Sequence, residues 1–283
     1  MTPSQRQKIK GYVVLPHAVP VVAVLLATAA FALVAARGWP GFTDLFCLLG
    51  AMFGAQLAIG AVNELVDADL DAQAKPDKPI PAGLVSRRGA RIVAGAGLLL
   101  MTLFSFRFSF GTFLLCALGA GTGIAYSLWF KRTIWGWVPY LIALPLLPIW
   151  VWSALASVDP ALFAIYPIGA AAVISIQIAQ SLPDIDADQS AGVRTLAVMI
   201  GQSRAHLACW GAMLLATAIA AFVAPLLLDH PGRLWLAGIV AALAVTINAL
   251  IWNVDRQHGV MAAFPCMALS AAALGIGWTL GLF

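Results

Sequence analysis

FTDLFCLLGAMFGAQLAIGAVNELVDADLD, residues 42–71, starts as an apolar run and ends in four carboxylates. The run from Phe42 to Val66 suits a membrane-crossing helix, which needs about 20 apolar residues. Asn63, Asp67 and Asp71 follow it at i, i+4 and i+8, a spacing that puts all three on one helix face. A second stretch echoes the first: Gln177 and Gln180, then SLPDIDAD (181–188), again closing an apolar run. Asp184 and Asp188 repeat the i, i+4 spacing, while Glu64, Asp69 and Asp186 are expected to point off the shared faces. Seven of the chain's twelve carboxylates lie in these two segments.

The 283 residues are 62% hydrophobic and only 10% charged, with mean hydropathy +0.93. Soluble domains carry about 25% charge, so the chain reads as an integral membrane protein. No run alternates as barrel strands do, which leaves an all-α, polytopic fold. Nine spans are expected, at 13–36, 42–66, 90–106, 109–130, 134–156, 161–183, 204–228, 233–254 and 260–282. The first is too long and lacks the small-residue pattern of a cleaved signal peptide, so it reads as an anchor. Cys47, Cys116, Cys209 and Cys266 fall inside apolar runs and count as small hydrophobes.

Placing the N-terminus in the cytoplasm puts thirteen of the sixteen Lys and Arg residues on that side. Only Arg37, Arg107 and Arg233 fall opposite, the asymmetry the positive-inside rule describes. Both acidic stretches then meet the cytoplasmic face. Asp67 and Asp184, Asp71 and Asp188, Ser86 and Ser203, and Arg87 and Arg204 all lie 117 residues apart. That offset suggests a duplication, about 13–130 and 134–254 plus a ninth helix, within a single transmembrane domain over 1–283.

A charge at mid-bilayer costs about 2.5–3.5 kcal/mol on insertion scales, and like charges at i, i+4 repel by about 0.2–0.5 kcal/mol per pair. Four carboxylates converging on one cavity therefore call for cations among them. Hard oxygen donors at this density suit Mg2+, which takes one or two carboxylates plus waters and phosphate oxygens. The loops beyond the acids are basic: KPDKPIPAG (75–83), then Arg87, and Arg194 after the second motif, with Lys131 closing a span on the same face. Acids alone would fit a carrier or channel for cations. Acids interleaved with Lys75, Lys78, Lys131 and Arg194 better fit a metal-bridged diphosphate.

Asn63-Glu64-x-x-Asp67-x-x-x-Asp71, Asp184-x-x-x-Asp188 and the loops KPDKPIPAG and DADQSAGVRTL (186–196) resemble the UbiA family of intramembrane prenyltransferases. That family carries N-D-x-x-D-x-x-x-D on its second helix and D-x-x-x-D on its sixth, and the resemblance covers essentially the whole chain. It implies about nine helices around a central cavity opening to the cytoplasmic side. It also implies that Asn63, Asp67, Asp71, Asp184 and Asp188 hold Mg2+ against a polyprenyl diphosphate. Three positions depart from the pattern. Glu64 stands for the usual aspartate, Tyr126 and Lys131 are five apart where the family commonly has Y-x-x-x-K, and Leu15-Pro16-His17 replaces an Arg-Pro pair.

The expected activity is Mg2+-dependent transfer of a prenyl group from a polyprenyl diphosphate to an aromatic or other lipophilic acceptor. Two Mg2+ ions and nearby cations would stabilise the diphosphate as leaving group, and an apolar chamber would keep water from the allylic cation. Asp67, Asp71, Asp184, Asp188 and Lys131 are the expected catalytic residues; Asn63, Lys75, Lys78, Arg87, Tyr126 and Arg194 are expected to bind substrate. Alternatives on the same scaffold are terpene cyclisation and transfer of phosphoribose to a polyprenyl phosphate.

Tyr126, Trp129, Tyr140, Tyr166 and the Trp135/Trp137 pair could face the cation, although tryptophans near span ends more often anchor at the interface. Pro139, Pro145 and Pro148 are expected to kink the fifth span. His17, His206, His230 and His258 lack metal-ligand spacing and read as structural or interfacial, and no nucleotide fingerprint or nucleic-acid partner is expected. Gly95, Gly97, Gly119, Gly121 and Gly123 read as sites of close helix packing.

Overall fold

Polar residues begin the chain and form a helix of their own. Ser4 caps α1 (Gln5–Val14), exchanging hydrogen bonds with Gln7. The apolar run expected to start at Val13 is interrupted at Pro16, which has no N–H to continue a helix and disfavours it in the residue before. α2 (Ala18–Ala35) follows. The computed structural model describes residues 4–16, 18–190 and 192–283, so His17 lies outside the described residues.

No strand occurs among the described residues, and the order continues α3 (Phe42–Ala74), α4 (Arg87–Ser105), α5 (Phe110–Ala125), α6 (Trp137–Leu155), α7 (Ile165–Ser181), α8 (Ile185–Ser190), α9 (Leu196–Ile200), α10 (Gln202–Leu227), α11 (Pro231–Val254) and α12 (Arg256–Leu280). Among the described residues eight helical runs are long and apolar enough to cross a membrane, and α2 holds a shorter apolar stretch, Pro20–Ala35. Large apolar side chains such as Leu26, Phe46, Leu103, Phe222 and Leu250 stand exposed, as a lipid-facing surface requires. Pro139 falls in the first turn of α6, where its missing N–H costs nothing, so of the expected kink sites only Pro145 and Pro148 lie inside the helix.

The chain divides into two compact units, Met1–Trp129 with Trp150–Ala156, and Phe130–Ile149 with Ser157–Phe283. In the first, α3 packs on α2, α4 and α5. Its 33 residues give a length of about 50 Å against a hydrocarbon core of about 30 Å, so the helix runs several turns longer than a perpendicular crossing needs, and its acidic turns are the last ones. Those are the turns that carry Asn63, Asp67 and Asp71. Gly54 and Gly97 let the α3 and α4 backbones touch: a Cβ on Gly54 would stand 2.6 Å from the Gly97 carbonyl oxygen, and the reverse distance is also 2.6 Å. Gly123 packs likewise on Ile59, whereas Gly95 and Gly121 face open space, contrary to the expectation for those two.

In the second unit α11 and α12 form an antiparallel pair, α10 packs on α7 and α11, and α12 also meets α7. Asp255 caps α12 by accepting from the Gln257 and His258 N–H groups. His206 is buried, with its ring 3.7 Å from Trp252, a structural role as expected.

Leucine at position 54 or 97 would drive a side chain into the facing backbone. Overpacking of this kind costs about 1–3 kcal/mol, so Gly54→Leu should lower the thermal unfolding midpoint in detergent by several degrees. The same change at Gly95 should leave the midpoint within about a degree, because a surface site with open space tolerates substitution.

Candidate active site

The last turns of α3 hold more buried charge than any soluble helix end would tolerate alone. Glu64 is 1% exposed, Asp67 5% and Asp71 6%, while Asn63 is half-buried. Seven residues make almost two whole turns, so Glu64 sits directly below Asp71 on the helix surface. The expectation that Glu64 points off the shared face is therefore corrected; the i, i+7 relation carries it onto that face. Asp69 does point away. It is exposed and pairs with Arg87 at the start of α4.

Lys78 supplies the counter-charge. Its Nζ donates to Glu64 Oε1 at 2.7 Å and to Asp71 Oδ2 at 2.8 Å. The loop that carries it is folded rather than slack. The Lys75 N–H closes α3 on the Asp71 carbonyl, the Lys78 N–H returns to Lys75, and the Pro79 carbonyl accepts from both Leu84 and Val85. Gly83, at φ 70°, makes the reversal. Val85 joins Leu15, Ala61 and Ala90 in a small core, with Leu65 and Ile80 packed against it, and this seats the loop on α3. On the other side Gly11 of α1 fits so tightly that a Cβ there would lie 2.7 Å from Leu84 Cβ. Burial alone would pull the Lys78 ammonium down, but the hydrogen bonds and charges of Asp71 and Glu64 outweigh it. The group titrates above its usual range and stays charged at neutral pH. Lys75 is exposed.

Tyr126 is half-buried at the head of a π-turn, Tyr126–Phe130, that ends α5. A π-turn takes one more residue per turn than an α-helix. The five-residue step from Tyr126 to Lys131, where the family has four, coincides with that turn.

In the second unit the acids sit at a break. Pro183 cannot donate to the helix ladder, and the chain tightens into a 3-10 turn, Leu182–Asp184, before α8. Asp184 therefore ends the turn and Asp188 lies in α8, both half-buried, with Asp186 exposed as expected. Gly192, at φ 70°, ends α8, and the Val193 N–H returns to the Asp188 carbonyl. The Arg194 N–H then reaches the Arg132 carbonyl at 3.4 Å, so the loop after the acids is tied to the segment that bears Lys131. Gly136 of that segment lies against Gln177, where a Cβ would meet Nε2 at 3.1 Å.

Gln177 is buried and hydrogen-bonds Ser181, and Gln180 accepts from the Tyr140 hydroxyl. Tyr166 donates to the Ile142 carbonyl at 3.3 Å. Trp129 and Trp135 are exposed, which suits interfacial anchors. Within this unit an apolar cavity is lined by Ile168, Ala172, Ile176, Ala216, Ala220 and Trp278 among others. Ile176 stands on α7 eight residues before Asp184, with the 3-10 turn between them.

Sequence reasoning missed Glu64 and the Arg132 carbonyl. The first was legible as i+7 from Asp71; the second is a backbone contact that no side-chain pattern records. Among the described residues no three His, Cys, Asp or Glu side chains converge as a closed metal cage. Mg2+ shared with phosphate does not need one, because it takes one or two carboxylates and fills its shell with water and phosphate oxygens. The buried carboxylates of Asp67 and Asp71, with the amide oxygen of half-buried Asn63 on the same face, fit that demand.

Comparisons with known proteins bear on the family and the fold. The model of the UbiA prenyltransferase family matches residues 23–281. The chain is 28% identical over 209 residues to a digeranylgeranylglyceryl phosphate synthase of Natronomonas pharaonis, covering 72% of this chain and 74% of that protein. It is 31% identical over 226 residues to the bacteriochlorophyll synthase 33 kDa chain of Cereibacter sphaeroides, covering 73% and 70%. Its fold is like that of a UbiA homologue from Archaeoglobus fulgidus bound to GPP and Mg2+, with TM-score 0.72, 20% identity and coverage of 95% and 99%. A match running from the second helix to the last, over two acid motifs in their expected order, makes this chain a member of the UbiA prenyltransferase family and an intramembrane prenyltransferase.

Proposed function

We propose that the chain transfers the prenyl group of a polyprenyl diphosphate to a lipophilic acceptor inside the membrane, with Mg2+ as cofactor. The observation that carries this reading is the buried face of α3, where Asp67 and Asp71 stand at the end of an apolar helix with Lys78 folded onto Asp71. Asn63, Asp67 and Asp71 of the first motif, and Asp184 and Asp188 of the second, are the groups that would hold Mg2+. Bound there, Mg2+ neutralises the diphosphate oxygens and makes diphosphate a better leaving group.

The chain's own groups do the rest. Lys75, Lys78, Arg87, Lys131 and Arg194 supply donors to the phosphate oxygens, and Tyr126 presents an aromatic face near the allylic carbon. The bond from that carbon to the diphosphate oxygen breaks, a bond to the acceptor forms, and the acceptor gives up a proton. The apolar cavity along α7 takes the isoprenoid tail and keeps water away. The thirteen-to-three split of basic residues supports a cytoplasmic N-terminus and a cytoplasmic opening of the site. The 117-residue offset supports an origin by duplication within one transmembrane domain. The two relatives' names differ in acceptor, so prenyl transfer is the element they share.

Three outcomes are expected. Asp67→Asn and Asp184→Asn should each cut Mg2+-dependent diphosphate release by about a hundredfold or more, the scale of losing one transition-state electrostatic contact. Both variants should still insert and run as the parent on gel filtration; equal turnover in variant and parent would refute the assignment. Ala220→Phe should depress turnover of long diphosphates relative to geranyl diphosphate, read as a change in the ratio of kcat/KM. Incubating purified protein with labelled diphosphates and a membrane extract, then weighing the products, identifies the acceptor. A prenylated product supports transfer, and an unaltered acceptor beside a cyclised hydrocarbon overturns it.

A further inference from the structure

Lys78 is held by two carboxylates that differ in their place in the proposed site. Asp71 belongs to the set that holds the metal; Glu64, a full two turns below it, does not. The ammonium bridges them at 2.8 and 2.7 Å, and the Lys78 side chain retains 23% exposure while Glu64 keeps 1%. One end of the bridge is thus fully buried, and the ammonium itself has a path outward. Its backbone is held by the Lys75 and Pro79 turns and by the seat of Val85 on α3, so a turn of the side chain requires no rearrangement of the loop.

We propose that Lys78 is a tethered counter-ion of the first acid motif, exchanging with the metal–diphosphate pair. It neutralises Asp71 and Glu64 until donor binds, then yields Asp71 to the metal and turns its ammonium toward a phosphate oxygen. This inference rests on the reading that Asp67 and Asp71 hold a divalent ion for a diphosphate.

Charge arithmetic gives the direction. A divalent cation approaching Asp71 alone meets a carboxylate already paired, with an ammonium a few ångströms away. Two like charges at about 4 Å repel by several kcal/mol at the effective dielectric of a protein surface. A diphosphate arriving with the metal reverses the balance, because it offers Lys78 a stronger anionic partner and releases Asp71. Metal and diphosphate therefore bind cooperatively, each improving the other by the same factor. Such a device keeps the buried carboxylates compensated without substrate and keeps the metal set from filling on its own.

The test is Mn2+ binding to the purified full chain in detergent, read by equilibrium dialysis as the excess Mn2+ in the protein chamber, with the same inorganic diphosphate, or none, on both sides. The parent should bind Mn2+ weakly alone and about tenfold tighter or more with diphosphate. Lys78→Met should bind Mn2+ alone about tenfold tighter than the parent, with little further gain from diphosphate. Lys78→Arg, which keeps the charge, should retain the parental pattern. Lys8→Met, which removes the same charge from exposed α1, should match the parent.

Equal Mn2+ affinity without diphosphate in Lys78→Met and the parent overturns the exchange. So does a parent whose Mn2+ affinity is indifferent to diphosphate, a result that needs no variant to fold. Absence of Mn2+ binding in every arm sinks the metal–diphosphate reading itself, which separates the two failures.

Discussion

Buried carboxylates need a positive partner, and in an apolar chain that partner has to be built in. Removing one member of a buried ion pair costs about 3–5 kcal/mol, because the charge left behind has neither water nor a counter-ion. Glu64 and Asp71 meet this demand through Lys78, fourteen residues on from the first of them. The demand explains the loop between α3 and α4. Three prolines, Pro76, Pro79 and Pro81, a left-handed Gly83 and the apolar anchors Ile80 and Val85 shape the twelve residues 75–86 into a platform that delivers one ammonium. α1 then closes over that platform through Gly11.

The second acid motif stands at a break in its helix. Pro183 breaks α7 into a 3-10 turn, which re-aims the chain before Asp184 and Asp188. The loop beyond is drawn back by the Arg194 N–H to the Arg132 carbonyl, so a backbone bond ties the loop after these acids to the segment that bears Lys131. A π-turn opens the segment bearing Lys131 and a 3-10 turn opens the acids. Irregular helical turns of both kinds re-aim side chains without leaving backbone groups unpaired, which is what a site at the edge of a bilayer requires.

Much of this was legible in the sequence where spacing alone governs. The apolar runs mark the spans, and the 3.6-residue period puts Asn63, Asp67 and Asp71 on one face of α3. Reading failed where a second period or a distant partner intervened. The i+4 ladder passes over Glu64, although i+7 returns it to the same face. Gly95 and Gly97 look alike in sequence, yet only Gly97 meets a facing backbone. α1 escaped notice because it is too polar to register as a span, and the break at Pro16 because hydropathy ignores a missing N–H.

The sequence by itself determined the all-helical membrane fold, the family and the two acidic helix ends, because composition and helical period are local properties that packing cannot alter. Only the tertiary structure decided which cation serves which acid. Lys78 goes to Glu64 and Asp71 and Arg87 to Asp69, since a loop's return path depends on what its apolar residues find to pack against.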